Sequence, residues 1–471
     1  MATTTALLWL RRDLRLHDNP GLVAAAEDDR LLTVYVFDRS HYGTADFGGT
    51  DSFVYEKTGG RRTAFRIDAV ADLRSRLRER GSDLVVRVGD PESVVPTLAA
   101  RVDADTVHVH TRPTPEERAV EKRVERALDT PLVRHWGHTL HHPDDLPTDV
   151  SAIDDTYTPF RKAVEESATV RAPSPVPTIP DRPTGVDTGS IPDPADLGID
   201  VAPMDDRAVL AFDGGETAGI ERLDEYLWGT DALREYKETR NGLLGRDYSS
   251  KLSPWLNEGC LSPRRVNAAV DEYEDRRVAN DSTYWLRFEL RWRDFFQFQF
   301  AKHGPAFFAP GGIRERDIDW TTDESAFDRW RRGETGIPFV DAAMRELAAT
   351  GYLSNRGRQN AASFLANDCR IDWRWGAAHF ETCLVDYDPA SNYGNWAYVA
   401  GVGNDSRNRS FDILWQAHRY DPDAEYVQRW IPALDGLSPE RAHEPWTLPD
   451  EKRAALDYPS PMIDPAAQYG D

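Results

Sequence analysis

The chain has 471 residues, with 57 basic against 80 acidic side chains and a formal net charge of −23. At roughly 150 residues per domain this length suggests two or three domains, and 40% hydrophobic with 10% aromatic residues excludes wholesale disorder, collagen-like repeats and coiled coil. No apolar run approaches the roughly 18–20 residues of a membrane span, and Arg11-Arg12 follow the first apolar stretch where a signal would place them ahead of it, so a cytoplasmic protein with no membrane partner is expected. Cys260, Cys369 and Cys383 form no CxxC pair, which leaves neither a disulfide framework nor a metal site in view.

In chain order, short β-rich runs at 6–10, 31–37, 84–88, 106–110 and 132–136 alternate with helical patterns at 63–80, 92–102 and 115–128. That alternation predicts a parallel, doubly wound α/β sheet over residues 1–137. The first strand runs into Arg11-Arg12-Asp13-Leu14-Arg15-Leu16-His17-Asp18-Asn19-Pro20, not a GxGxxG turn, so no dinucleotide is assigned to this sheet. Residues 138–215 are broken by eight prolines, from Pro173 to Pro203, and read as a long connector. Beyond Gly214-Gly215 the pattern is helical at 217–227, 263–274, 283–303, 337–349, 360–367 and 375–385, which predicts an all-α domain over 216–471.

Four stretches carry chemistry. Tyr248-Ser249-Ser250-Lys251-Leu252-Ser253-Pro254 fits a helix start, with Ser253 at N-cap and Pro254 at N1, whose hydroxyls and amides suit a phosphate; simple capping is the competing reading. Glu289, Trp292, Arg293 and Phe296 share one helix face, where a carboxylate and a guanidinium among aromatics signify either a polar ligand or an interior ion pair. Asn355, Arg356, Arg358 and Gln359 gather donors at a helix start. The segment 386–398, with Asp386, Asp388, Asn392, Trp396 and Tyr398, reads as a Gly- and Asn-rich stretch suited to the edge of a planar ligand, or as a solvated loop.

Together these segments resemble the photolyase/cryptochrome family. The opening Trp9–Asn19 stretch is similar to that family's start, and Tyr236-Lys237-Glu238-Thr239-Arg240-Asn241-Gly242, the Tyr284–Phe296 helix, Ser354-Asn355-Arg356-Gly357-Arg358-Gln359 and residues 391–404 resemble its DASH-type cryptochromes closely, over about residues 7 to 432. The resemblance implies an N-terminal antenna domain and a helical domain holding FAD. By position, Tyr236, Ser249, Ser250, Leu252 and Ser253 would wrap the flavin phosphates, Arg293, Asn355 and Arg358 would line the cofactor, Asp386 and Asp388 would face its ring and ribose, and Asn392 would meet the flavin N5. Trp396, Trp373 and Trp320 correspond to the electron-transfer chain. The antenna is expected to be methenyltetrahydrofolate, with a deazaflavin or an empty site as alternatives, contacted by Glu117; a solvated helix-start carboxylate is the plainer reading of that residue.

The implied substrate is a cyclobutane pyrimidine dimer in DNA, flipped into a cavity where Glu289 hydrogen-bonds the pyrimidine edge, Trp292 stacks, and Gln359 and Tyr398 complete the wall. Double-strand photolyases carry methionine and tryptophan at those last two places. Stacking is worth about 1–3 kcal/mol per base, so the more polar pair implies a preference for single-stranded or looped DNA. Residues 355–360 contain no histidine, which sets aside six-four repair. A blue-light receptor with little repair is the alternative, and the short stretch after Trp446 favours repair over it. A monomer is expected. The acidic, lysine-poor composition, with seven lysines in all, is expected of a protein kept soluble in concentrated salt, as in a halophilic archaeon, around a locally positive cleft built on Arg293, Arg356 and Arg358.

Overall fold

The computed structural model describes residues 3–47, 52–405 and 410–469; the two residues that open the chain and Asp471 lie outside them. Among the described residues the strands are β1 (Thr5–Leu10), β2 (Arg30–Asp38), β3 (Thr44–Asp46), β4 (Val54–Glu56), β5 (Leu84–Gly89), β6 (Thr106–His110) and β7 (Leu132–His135). Five of them form one sheet in the order β5-β2-β1-β6-β7, every pair parallel. Leu8 of the central β1 lies opposite Thr33 on one side and His108 on the other. Both faces of β1 are covered, which is why it reads as a continuous apolar run: Leu7 and Trp9 enter one core, Leu8 and Leu10 the other.

The crossover helices Gly60–Arg78, Pro91–Arg101 and Pro115–Ala127 match the predicted ones within a turn. Two elements go beyond the sequence reading. Asn19 caps a short helix, Pro20–Ala25, by accepting from the Leu22 amide at 3.0 Å, and β3 pairs antiparallel with β4. The proline-rich segment also holds a helix, Tyr157–Ser167. Further on, it runs beside the sheet, where Leu31 N–H donates to Asp181 C=O at 3.2 Å and Val86 N–H to Thr188 C=O at 2.8 Å.

The rest is helical: Glu216–Asp224, Pro263–Arg276, Asp281–His303, Pro338–Thr350, Asn355–Ser363 and Trp373–Cys383 answer the predicted helices. The segment 386–398 is not a loop. It forms the helix Pro389–Val399, started by Asp388, whose carboxylate accepts from the Ser391 amide at 2.9 Å with Pro389 at the first helical position. Its low intrinsic propensity is overridden by close packing, since a Cβ at Gly394 would lie 2.3 Å from Phe296. Among the described residues no helix is long and apolar enough to cross a membrane.

The sheet and the helices are bolted together by the chain leaving β1. Arg12 donates to Asn257 C=O at 3.0 Å and to Tyr387 C=O at 2.9 Å, and Arg15 to Gly259 C=O at 2.9 Å. Glu216 accepts from the Leu16 amide at 2.6 Å. Asp18 takes a two-pronged grip from Arg264 at 2.6 and 2.9 Å, both side chains buried. Removing one partner of such a pair leaves a buried charge uncompensated. Asp18→Ala is therefore expected to lower stability by about 3–5 kcal/mol, read as the shift of the urea-unfolding midpoint at unchanged m.

Candidate functional site

The helix Asp281–His303 is the spine of the site. Asn280 starts it by accepting from the Ser282 and Thr283 amides, while the Thr283 hydroxyl accepts from the Asn280 amide. With neither Gly nor Pro in its 23 residues, it carries Glu289, Trp292, Arg293 and Phe296 along one side of a cavity of about 720 Å³. That volume lies within the roughly 300–1,000 Å³ usual for ligand pockets.

The same cavity is lined by Tyr236, Ser249, Ser250, Leu252 and Ser253, by Asn355, Arg356, Arg358 and Gln359, and by Asp386, Asp388, Asn392, Trp396 and Tyr398. Segments from Tyr236 to Tyr398 thus meet around one space. Trp373, Trp320 and Glu117 lie outside its lining.

On the floor, Arg358 donates to both oxygens of Asp386 at 2.9 and 2.8 Å, and Ser253 Oγ donates to the same carboxylate at 2.6 Å. Ser253 is therefore not an N-cap. It is the first residue of the short helix Ser253–Asn257, Leu252 occupies the cap, and the serine hydroxyl is drawn to Asp386 instead. Arg358 is thus paired with a carboxylate inside the cavity, unlike Arg356. Asp388 accepts from Gln297 Nε2 at 2.8 Å and faces Arg12 at 3.4 Å, which holds its carboxyl below the usual range against the cost of burial. Arg293 is turned to the carbonyls of His138 and Leu256. Asn392 Nδ2 donates to Ala377 C=O at 2.9 Å, leaving its oxygen as the polar atom toward the cavity.

Toward the mouth, Glu289 pairs with Arg240, whose guanidinium also lies 4.4 Å from the Trp285 ring. Burial pushes the Glu289 carboxyl up, and Arg240 opposes that shift. Arg356 is held at 2.9–3.2 Å by the neutral oxygens of Asn241, Gln359 and Gln416, and lies over the Tyr420 ring at 4.4 Å. Tyr398 meets the Trp292 ring edge-on at 6.0 Å.

Of the three tryptophans, two are buried and one reaches the surface. Trp396 lines the cavity and is buried, Trp373 is fully buried, and Trp320 is partly exposed. The indole N–H groups of Trp373 and Trp320 both donate to Pro310 C=O at 3.1 Å, so one carbonyl joins the two ring edges. Trp330 is fully buried and stands 6.0 Å from Trp396, edge to face.

Glu117 is not a solvated carboxylate. It accepts from Arg12 at 3.2 Å and from the Thr114 hydroxyl, with 11% of its side chain exposed. The same Arg12 reaches Asp388, so a single guanidinium connects Glu117 to the cavity. The sequence reading missed Arg240, which lay within the quoted Tyr236–Gly242 stretch, and Lys251. Lys251 has a left-handed backbone, φ +53°, with its ammonium 3.3 Å from the Tyr248 ring and donating to the Gly245 and Arg246 carbonyls. Burial, helped by Arg222, pushes its pKa down to about 7 against Asp247 and Glu346.

The chain is similar to known proteins over nearly its whole length. Residues 6–180 match the DNA photolyase family and residues 285–470 match the FAD binding domain of DNA photolyase. The chain is 56% identical over 475 residues to the cryptochrome DASH of Natronomonas pharaonis, covering 99% of each. The crystal structure of a Synechocystis cryptochrome superposes with a TM-score of 0.93 at 42% identity over 99% of this chain and 98% of that one. A bacterial class III photolyase from Agrobacterium tumefaciens gives a TM-score of 0.84 at 31% identity, over 98% and 95%.

Lys251 makes the serine loop sensitive to pH. A pyrophosphate placed beside it raises its pKa from about 7, so between the free and the raised values the complex holds the proton that the free protein has lost. Uptake of FAD by the apoprotein at pH 8 is expected to draw in protons, and affinity to fall as pH rises above about 7. Calorimetry in buffers of different ionisation enthalpy reads this directly; heats that do not depend on the buffer contradict it.

Proposed function

The chain belongs to the photolyase/cryptochrome family, in its DASH group, and from that premise we propose that it is a light-driven DNA lyase that splits cyclobutane pyrimidine dimers, preferentially in single-stranded or looped DNA. The observation that carries this reading is the convergence of Glu289, Trp292, Gln359 and Tyr398 with the Arg358–Asp386 floor and Trp396 on one cavity. The donor set fits FAD: Ser249, Ser250 and Lys251 suit its phosphates, and the Asn392 oxygen and the Asp386 carboxylate suit its N–H and hydroxyl groups. When bound, FAD supplies an electron donor that light excites.

The residues of the wall then divide the work. Trp292 offers a flat face to the pyrimidine ring. Glu289, whose carboxyl burial pushes up against the pull of Arg240, stands where it can hydrogen-bond the pyrimidine edge and share a proton with the carbonyl as negative charge builds on that oxygen. Arg240 keeps the carboxylate oriented until the substrate edge arrives. Gln359 and Tyr398 exchange stacking area for hydrogen bonds, which favours a lesion already unpaired over one that must be pulled from a duplex. Trp396, Trp373 and Trp320 supply a path from the cavity to the partly exposed surface. That path also supports the second reading, a blue-light receptor in which photoreduction rather than repair is the output.

Antenna and solvent complete the proposal. Glu117 is the contact proposed for a folate antenna, although its partners Arg12 and Thr114 must first yield. The acidic exterior is proposed as an adaptation to concentrated salt.

Illumination of the FAD-loaded, reduced protein with a dimer-bearing single-stranded oligonucleotide is expected to remove the dimer, faster than in duplex. Glu289→Ala is expected to slow splitting about 10²-fold or more with flavin content unchanged. Intact photoreduction without any light-dependent repair would replace this reading by the receptor. Equal repair of duplex and single-stranded lesions would remove the strand preference.

Salt dependence tests the charge assignment. With Arg240 held by Glu289 and Arg358 by Asp386, Arg356 is, among the described residues, the mouth cation whose direct partners are all neutral. One or two phosphate contacts on a single strand correspond to a slope of log K against log [salt] of about −0.7 to −1.4. A slope steeper than about −3 would mean a broad phosphate-binding surface instead.

A further inference from the structure

The proline-rich segment 138–215 reaches the cavity wall from behind. The Tyr157 ring lies flat on the indole of Trp292, centroids 3.6 Å apart and planes 12° from parallel. Trp292 lines the cavity and Tyr157 does not, so the indole stands between the phenol and the cavity. The Tyr157 hydroxyl donates to Phe288 C=O at 2.8 Å. Phe288 is four residues ahead of Trp292 on the same helix, so that carbonyl is the one to which helical geometry directs the Trp292 amide. Tyr157 therefore touches Trp292 at its ring and at the helical turn that carries it.

The phenol is itself held. Phe288 and Phe295 meet it edge-on at 5.1 and 5.6 Å. The helix Tyr157–Ser167 is pinned to Asp281–His303 through Glu165, which takes Arg291 at 3.1 Å and the Tyr284 hydroxyl at 2.9 Å. Just ahead of it, Lys302 and Gln299 donate to the carbonyls of Ile153 and Asp154, each at 2.8 Å.

We propose that Tyr157 is the positioning residue for Trp292: it backs the indole so that the opposite face meets the flipped pyrimidine dimer as a preformed plate. This rests on the reading of the cavity as the lesion site. An unbacked tryptophan in a cavity wall has other rotamers open to it, and ordering it on binding weakens affinity. A flat ring behind it at van der Waals distance closes those alternatives and leaves one face free. Burial pushes the Tyr157 phenol well up, so its hydrogen bond to Phe288 is kept over the whole working pH range.

The test uses the FAD-loaded full chain in the dark, with a single-stranded oligonucleotide carrying one dimer and the same strand undamaged. Tyr157→Leu is expected to raise the Kd for the damaged strand about tenfold, or about 1.4 kcal/mol. The Kd for the undamaged strand, the flavin spectrum and the rate of splitting at saturating oligonucleotide are expected to stay as they are. Tyr157→Phe keeps the stack and is expected to stay within about twofold. Phe160→Leu is the packing control, because Phe160 meets Phe295 and Phe298 in the same helix interface. Tyr157→Met, with the same expectation, serves where Tyr157→Leu does not yield folded protein. No loss with these variants, or an equal loss with Phe160→Leu, overturns the proposal. Equal affinity of the unsubstituted protein for damaged and undamaged strands overturns instead the lesion-site reading beneath it.

Discussion

Everything in this molecule depends on the buried charges carried by the eight residues that follow β1. Arg12, Arg15 and Asp18 cannot be buried singly, because each would forfeit its hydration. The chain satisfies them with groups from the helical half: backbone carbonyls at Asn257, Gly259 and Tyr387, and the side chains of Arg264 and Asp388. Gly259 permits the close approach, since its φ is +73° and a Cβ there would lie 2.1 Å from Arg12 C=O. The sheet and the cavity are thus held in one register by electrostatics that leave little room for rearrangement.

The cavity follows the same rule on a smaller scale. Arg358 answers Asp386, Arg240 answers Glu289, and Arg293 is absorbed by carbonyls. Among the described residues this leaves Arg356, held by neutral oxygens, as the cavity-lining arginine without a carboxylate or a set of carbonyls to absorb it. A protein with net charge −23 can in this way present a usable positive point to a polyanion while its exterior repels one.

Much of this was legible in the sequence. The strands β1, β2 and β5 showed because each is largely apolar where it is buried, β6 because it alternates valine with polar residues, β7 because leucine and valine open it, and the long helix Asp281–His303 because its cap and its face are both written locally. The helix Pro389–Val399 was obscured because Gly394 and two asparagines depress its propensity, and only the packing of Phe296 and Trp396 against small residues explains why it forms. Ser253 looked like a cap because Ser-Pro is a capping pattern; Asp386, 133 residues away, takes its hydroxyl instead. Glu117 looked solvated because nothing nearby in sequence announces that Arg12 will fold over it. The partnership of Tyr157 with Trp292 was invisible for the same reason, joining residues 135 apart across a stretch that composition marks as irregular.

One face of the sheet shares its core with the helical half: Leu8, Leu10 and Leu31 pack in the same cluster as Leu223, Tyr226, Trp255 and Leu261. During synthesis β6 is complete about 150 residues before Leu261 is made, an interval of roughly 8–30 s at about 5–20 residues per second. For that time the helix Gly60–Arg78 covers only part of this face, through Phe65, Ala69, Val70, Leu73 and Leu77, and the remainder waits for Leu223, Tyr226, Trp255 and Leu261. Slowing translation between residues 138 and 261 is therefore expected to lengthen the exposure of that remainder.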